Sequence, residues 1–204
     1  VPTLLMPYGT VPLPLASAAV RQIFAIAYLL VWAVEEHLLF AERTHQKPCT
    51  DLLLLLDEVE AHLHPRWQRR ILIALNEAAA ELQSNLTLQI LAVTHSPLVL
   101  ASLEAVFASE SDALFNFELN GKDVQAKKFE WRAHGDVGSW LTSEVFNLGE
   151  ARSLEAEDAI RQAQTTALNA VSAPGDFKSA HEALQRVLGD TDPFWVKWVA
   201  RAER

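Results

Sequence analysis

The residues Leu52-Leu53-Leu54-Leu55-Leu56-Asp57-Glu58 decide how this chain is interpreted. An apolar run that stops at two acids is typical of a parallel strand buried on both faces. Leucine is also a good helix former, so propensity alone favours a helix. The run is too short for an ordinary helix, and the acidic pair ends it abruptly. We therefore predict a buried parallel strand over residues 52–56.

The segment after these acids predicts a helix and a second strand. Pro65 suits the first turn of a helix, where its missing N–H costs nothing. Apolar residues then recur at helical spacing and predict one buried face: Trp67, Ile71, Ala74, Leu75, Ala78 and Leu82. Ser84-Asn85 interrupts this pattern, and residues 86–93 are the second strand candidate. Strand, helix and strand with short links predict a crossover unit of an α/β sheet.

The N-terminal part predicts an irregular segment followed by a long helix. Four prolines in residues 1–16 favour an extended or looped chain. Ser17 is a candidate N-cap for a helix that runs to about residue 41. Because this helix is apolar almost all round, we expect it to be covered on most sides. Its most apolar stretch, residues 23–34, is shorter than the roughly 20 residues that a bilayer span needs.

The C-terminal part predicts a hairpin and then helices. Asn120-Gly121 lies between two strand-like runs and is a strong hairpin signal. From about residue 137 the chain is expected to be helical. Turn-forming residues predict breaks in that helical region at 147–149, 173–175 and 192–193.

The charge and cysteine content exclude some classes of protein. The 204 residues include 17 basic and 26 acidic ones, a formal net charge of −9, which argues against a generally basic nucleic-acid binder. Half of the residues are hydrophobic, so the chain can form a buried core. The single cysteine, Cys49, excludes an intramolecular disulfide and fits a reducing cytoplasm. We expect a cytoplasmic protein with no membrane segment.

Asp57 and Glu58 are the first candidates for chemistry. Ligands bind at the carboxyl edge of open α/β sheets, where these two acids would lie. There one carboxylate can help to hold the Mg²⁺ of a nucleotide, and a second can accept a proton from an attacking water. The alternative is a buried strand that simply ends at two solvated acids.

The following residues carry a resemblance to a known family. The segment 57–65, DEVEAHLHP, resembles the Walker B and D-loop segment of ABC-type ATPases. Its residue pattern resembles that of stand-alone ATPases of the AAA or overcoming-lysogenization-defect-like type. The segment 93–97, VTHSP, resembles the switch motif of the same group, in which a histidine contacts the γ-phosphate. His62 and His64 also raise the alternative of a zinc site, although no third ligand lies at the usual spacing.

The resemblance covers roughly residues 10–132. It implies an α/β fold that is the C-terminal part of a P-loop NTPase head, ABC-ATPase-like, with a β-hairpin and an appended helical tail. The domains expected on this basis are residues 1–134, the ATPase core, and residues 135–204, the helical region. The tail is similar to segments that follow the core in predicted bacterial defence ATPases, including the Septu type.

The resemblance also implies a set of site residues and ligands. The cofactors would be ATP and Mg²⁺, with Asp57 as the metal-binding residue, Glu58 as the catalytic base and His95 at the γ-phosphate. Ser17 lies where the family carries its signature sequence and would touch nucleotide on an opposing head. Alanine replaces both signature glycines, and a plain N-cap serine is the alternative.

The implied function is ATP binding and hydrolysis by heads that dimerise around nucleotide. The expected partners are a second copy of the chain and a nuclease or other effector in defence or DNA processing, with DNA itself left open. The alternative is a non-catalytic, ATPase-like scaffold for such an effector. Its support is the lack of a Walker A motif, G-x-x-x-x-G-K-[ST], in this sequence, which also leads us to expect a fragment.

The missing Walker A motif generates the first prediction. The purified 204-residue chain should bind ATP weakly and should not turn it over, because the β- and γ-phosphates lack their main cradle. Phosphate release in the presence of Mg²⁺ measures this directly. Sustained hydrolysis by a preparation free of contaminating ATPases would contradict the prediction.

Overall fold

The first elements are a small hairpin and a long helix. The computed structural model describes residues 1–82, 86–168 and 174–202. Strands β1 (Thr3–Met6) and β2 (Gly9–Pro12) pair antiparallel, and a 3₁₀ turn leads into helix α1 (Ala18–Thr44). The predicted extended conformation is confirmed, but the pairing of the two strands was not predicted.

Helix α1 is far less covered than its composition predicts. Its buried residues are Leu30, Val34 and Ala41. Tyr28 and Trp32 are more than half exposed, at 57% and 51%. The expectation of a helix covered on most sides is therefore wrong for the described residues, because one layer of structure packs against it. The 27-residue helix is long and apolar enough to cross a membrane by length and composition alone.

Two parallel strands form the centre of the N-terminal part. Strands β3 (Asp51–Leu56) and β4 (Thr87–Ala92) pair in register, with Leu56 opposite Ala92. Helices α2 (Pro65–Gln68) and α3 (Ile71–Leu82) connect them. Strand, helical connection and parallel strand are confirmed. The predicted break at Ser84-Asn85 lies outside the described residues.

The prediction that β3 is buried on both faces is wrong. Leu53 and Leu55 are 56% and 65% exposed, and Leu91 of β4 is 57% exposed. The other face is covered, since Leu54 and Leu56 pack against buried residues below the sheet. A two-stranded sheet with helices on one side can bury only one face, and among the described residues it has no second layer.

The core under this sheet comes from the loop after β3 and from two helices. Helix α4 (Pro97–Leu103) follows β4 and contributes Val99. The buried residues of this cluster are Val59, Leu63, Ile71, Leu75 and Val99. The predicted helical face is right for Ile71 and Leu75. It is wrong for the other four positions, which are exposed, because α3 buries only a narrow stripe that continues from Ile71 and Leu75 to Ala79.

The predicted hairpin is confirmed. Strands β5 (Leu114–Asn120) and β6 (Asp123–Phe129) pair antiparallel, with Asn120 opposite Asp123. Gly121 takes a positive φ of 66°, which a residue without a Cβ adopts at low cost.

A carboxylate fastens the chain after this hairpin. Glu104 accepts hydrogen bonds from the backbone N–H of His134 at 2.7 Å, that of Gly135 at 2.9 Å and the Trp140 indole at 2.6 Å. Partial burial disfavours the charged form of Glu104. The N–H donors of Gly135, His134 and Trp140 outweigh burial, so the pKa of Glu104 lies below its ordinary value.

The chain divides into two compact units, Val1–Trp140 and Leu141–Arg204. Helix α5 (Val137–Leu141) lies at the junction in the sequence, and the second unit contains α6 (Leu154–Leu168), α7 (Pro174–Val187) and α8 (Phe194–Ala202). The predicted helical tail is confirmed from residue 154, as is its break at 192–193, but the break predicted at 147–149 extends over residues 142–153. In the break predicted at 173–175, Ala173 lies outside the described residues and Pro174 begins α7.

The second unit has its own core and its own polar clamp. Its buried core residues are Ala156, Ala159, Ile160, Ala163, Ala180, Leu184, Leu188, Phe194 and Trp198. Arg152 makes two hydrogen bonds to Asp192, at 2.9 and 3.0 Å, and also pairs with Glu150. The bond from Arg152 lowers the pKa of Asp192. This clamp holds the loops before α6 and α8 together.

The one-sided sheet predicts different costs for two leucine-to-alanine changes. Leu75→Ala should lower the free energy of unfolding by about 2–5 kcal/mol, because it opens a cavity in the core. Leu55→Ala, on the exposed face, should lower it by about 0.5 kcal/mol or less. Hydrogen exchange of the β3 amides measures the change in the free energy of unfolding for both variants. Equal losses would mean that the exposed face is covered in solution.

The Glu104 contacts predict a pH dependence. Because its folded-state pKa is lowered, the stability it contributes is present above its unfolded-state pKa and is lost as pH falls through the folded-state value. Glu104→Gln should therefore lower stability near neutral pH, and the difference from the parent should shrink in acid. Urea unfolding at a series of pH values tests this. A difference that does not vary with pH would contradict the assignment.

Candidate functional site

The candidate site lies where β3 and β4 end. Asp57 and Glu58 follow β3 directly, and His95 follows β4 after two residues. Since the strands are parallel and end in register, both loops leave the same edge of the sheet. The Val93 N–H donates to the Leu56 carbonyl at 2.8 Å and continues the pairing beyond the strands. Three of the four predicted site residues are thus brought to one edge.

The side chains at this edge are accessible. Asp57, Glu58 and His95 are all exposed. A hard cation such as Mg²⁺ prefers oxygen ligands and usually keeps several waters, so a single exposed carboxylate such as Asp57 fits it. The edge therefore offers two carboxylates and an imidazole to a ligand approaching from solvent.

The turn after β3 has an unusual backbone. Glu58 has a φ of 47° and His62 a φ of 60°, values that non-glycine residues adopt infrequently. The Ala61 N–H donates to the Glu58 carbonyl at 2.8 Å and closes the turn. Residues held in sparsely populated conformations cost on the order of 1–3 kcal/mol each and concentrate at functional sites. The conformation at Glu58 thus adds to the case for a functional turn.

A carboxylate that sequence reasoning missed joins the two loops. Glu60 accepts a hydrogen bond from the Thr94 hydroxyl at 2.5 Å and another from the His95 backbone N–H at 2.6 Å. The available signal in the sequence is the third acid of the D-E-x-E pattern. The pattern marks Glu60 as part of a motif but does not reveal its partners, which lie 34 and 35 residues away.

A second polar bridge lies beside the first and was also missed. The Ser96 hydroxyl donates to Gln68 Oε1 at 2.8 Å, and Gln68 Nε2 donates to the Leu63 carbonyl at 3.0 Å. Ser96 is also the N-cap of α4, where it accepts from the Val99 N–H at 3.4 Å. Glu60 of the loop after β3 therefore binds Thr94 and His95, and Gln68 of α2 binds Ser96, the next residue.

The fourth predicted residue, Ser17, is the N-cap of α1. Its hydroxyl accepts a hydrogen bond from the Val20 N–H at 3.3 Å, and its side chain is exposed. This agrees with the plain N-cap alternative. In the described part of the chain, no hydrogen bond joins Ser17 to the edge that holds Asp57 and His95. Its role at an opposing nucleotide stays a prediction.

One of the two histidines after Glu58, His64, has a structural role. His64 Nδ1 accepts a hydrogen bond from the Arg66 N–H at 3.2 Å and caps α2, with Pro65 in the first turn as predicted. Within residues 1–82, 86–168 and 174–202, no group of three or more His, Cys, Asp and Glu side chains is arranged to hold a metal ion. The His62 and His64 pair therefore gives no support to the zinc alternative.

Comparison with known proteins agrees with this geometry. Residues 8–101 match the sequence model of the family described as "AAA domain, putative AbiEii toxin, Type IV TA system". Residues 8–101 form an AAA-type, P-loop ATPase-like region. The predicted resemblance is confirmed at that level. All four predicted site residues, and Glu60, lie within the ATPase-like region.

One curated relative matches a similar length of chain. The "Retron Ec83 probable ATPase" of Escherichia coli is 29% identical over 98 residues. These residues make up 48% of this chain and 15% of that relative. The chain thus spans a small part of the relative's length.

Proposed function

We propose that this chain supplies the Walker B, D-loop and switch segments of an ABC-type ATPase head that binds and hydrolyses ATP. The observation that carries the proposal is the parallel register of β3 and β4, which brings Asp57, Glu58 and His95 to one edge. The family match of residues 8–101 supports it independently. In this proposal the chain is the C-terminal part of the head, and residues beyond the hairpin form an appended helical region.

Each site residue has a separate task in this proposal. Asp57 would hold Mg²⁺, which would offset the negative charge of the nucleotide's phosphates. Glu58 orients the attacking water and takes its proton as the bond between water oxygen and γ-phosphorus forms. His95 donates a hydrogen bond to the γ-phosphate, where charge redistributes as the bond to the bridging oxygen breaks. ATP supplies the transferable phosphoryl group.

The phosphate cradle must come from outside these 204 residues. A further segment of polypeptide, on the same chain or on a partner, would supply the P-loop. The exposed leucines on β3 and β4 agree with such an addition, since parallel sheets are normally covered on both faces. A complete head would then dimerise around nucleotide, with Ser17 facing the opposing site, and would drive a nuclease or other effector in defence or DNA processing in the cytoplasm.

The second candidate function is a non-catalytic scaffold for an effector. It is favoured by the missing Walker A motif and by Ala18-Ala19 in place of the signature glycines. The accessible acids and histidine at one edge favour the ATPase, because a scaffold has no need to bring these residue types together.

Three substitutions separate the proposed roles once a P-loop is supplied. Glu58→Gln should lower the hydrolysis rate by about 10²–10⁴ with little change in nucleotide binding, because it removes the base alone. Asp57→Ala should weaken Mg²⁺-nucleotide binding, and His95→Ala should slow turnover more than it weakens binding. Binding of a fluorescent ATP analogue and steady-state phosphate release measure the two effects.

The control for these substitutions is Glu77→Gln, which changes an exposed acid on α3 away from the edge. It should leave both binding and turnover unchanged. If Glu58→Gln hydrolyses ATP at the parental rate, the catalytic assignment is wrong and the scaffold is the better explanation.

The proposed nucleotide sandwich predicts self-association. With a P-loop supplied, Glu58→Gln should accumulate as a dimer in the presence of ATP, because the nucleotide binds and is not consumed. Light scattering with ATP, compared with the same sample without nucleotide, measures this. A particle that stays monomeric under both conditions would count against the sandwich.

A further inference from the structure

We propose that Glu60 is a positioning residue that sets the backbone at His95 and so aims the imidazole at the phosphate. The inference rests on the proposed function, which assigns His95 its task. It adds a residue to which neither the motif pattern nor the comparisons give a role. The contact that carries it is the pair of hydrogen bonds from the loop after β4 to the Glu60 carboxylate.

The geometry makes Glu60 a two-point clamp on that loop. Oε2 accepts from the Thr94 hydroxyl at 2.5 Å, and Oε1 accepts from the His95 N–H at 2.6 Å. Hydrogen bonds to an ionised carboxylate are shorter and stronger than those between neutral groups. Two bonds to one planar group fix an orientation as well as a distance. The backbone of His95 is therefore held from the loop that carries Asp57 and Glu58.

The surroundings of Glu60 distinguish it from the two acids before it. Asp57 and Glu58 are exposed, whereas Glu60 is half-buried with each oxygen engaged by the neighbouring loop. An acid in that position is poorly placed to accept a proton from water. It acts through His95, while the preceding acids face solvent.

The second bridge makes the clamp testable without unfolding the loop. Ser96 is held by Gln68 and caps α4, independently of Glu60. Thr94 also accepts a hydrogen bond from the Ser96 N–H at 3.1 Å, which keeps the loop turned. Removing the Glu60 carboxylate should loosen Thr94 and His95 without unfolding the loop, because Ser96 stays attached to Gln68.

Two substitutions at Glu60 have opposite expected outcomes. Glu60→Ala leaves the His95 N–H without its acceptor. Glu60→Gln can rebuild both contacts, since its carbonyl oxygen can accept from His95 and its amide can donate to the Thr94 hydroxyl, which is both donor and acceptor. Thr94→Val removes one arm of the clamp, and Thr94→Ser should retain it. Glu77→Ala, at an exposed acid on α3, is the matched control.

The first measurement needs no ATPase activity. Hydrogen exchange of the His95 amide in the 204-residue chain should be about tenfold faster or more in Glu60→Ala than in the parent, as expected for loss of a charge-assisted hydrogen bond. Glu60→Gln should restore most of the protection. Amides of β3 should exchange alike in all variants, which shows that the fold is intact.

The second measurement separates positioning from a merely structural role. With a P-loop supplied, Glu60→Ala should lower kcat for ATP about tenfold or more with KM for Mg²⁺-ATP nearly unchanged, and Glu60→Gln should recover most of kcat. In the His95→Ala background, Glu60→Ala should have little further effect on kcat, because its contribution passes through that imidazole.

The outcomes distinguish failure of this inference from failure of the proposed function. Unchanged exchange at His95 in Glu60→Ala overturns the clamp, whatever the ATPase does. Faster exchange with a kcat no lower than that of Glu77→Ala overturns the positioning role while the proposed function stands. If His95→Ala turns over ATP at the parental rate, the proposed function fails and the inference fails with it.

Discussion

The parallel pairing of β3 with β4 is the constraint on which the rest of the ATPase-like region depends. With Leu56 opposite Ala92, the two strands end together and their loops emerge side by side. A shift by one residue would turn Leu54 and Leu56 to the exposed face and move the acids relative to His95. The register therefore fixes both the face of the sheet that is buried and the position of the acids relative to His95. The core cluster below the sheet stabilises this register.

The two loops are joined by polar contacts that the sheet makes possible. Glu60 and Gln68 reach across to Thr94, His95 and Ser96. Each of these hydrogen bonds contributes little net stability. Leaving a half-buried donor or acceptor without a partner, however, destabilises the fold. The network therefore favours one arrangement of the loops over others. The unusual φ of Glu58 lies in the same turn, which the Ala61 N–H closes by donating to the Glu58 carbonyl.

The same sheet is incomplete as a layered structure. One face of the sheet carries exposed leucines. Helix α1 also exposes several large apolar side chains, and few of its residues are buried in the core. Stable α/β domains cover both faces of a parallel sheet, because strands and helices each have apolar surface to bury. The sequence lacks a Walker A motif, and the structure lacks a second layer within its described residues. Under the proposed function, a further segment of polypeptide would cover this face of the sheet and supply the P-loop.

The sequence by itself determined the strands at 52–56 and 86–93, the hairpin, the N-cap at Ser17 and the family resemblance, because these depend on short-range pattern. Tertiary structure decided which faces are covered, which is why the leucine run is half exposed. It also decided the role of Glu60. A carboxylate among other acids in a motif shows no partner in sequence, and its partners lie 34 and 35 residues away. Only the parallel register brings them within hydrogen-bonding distance.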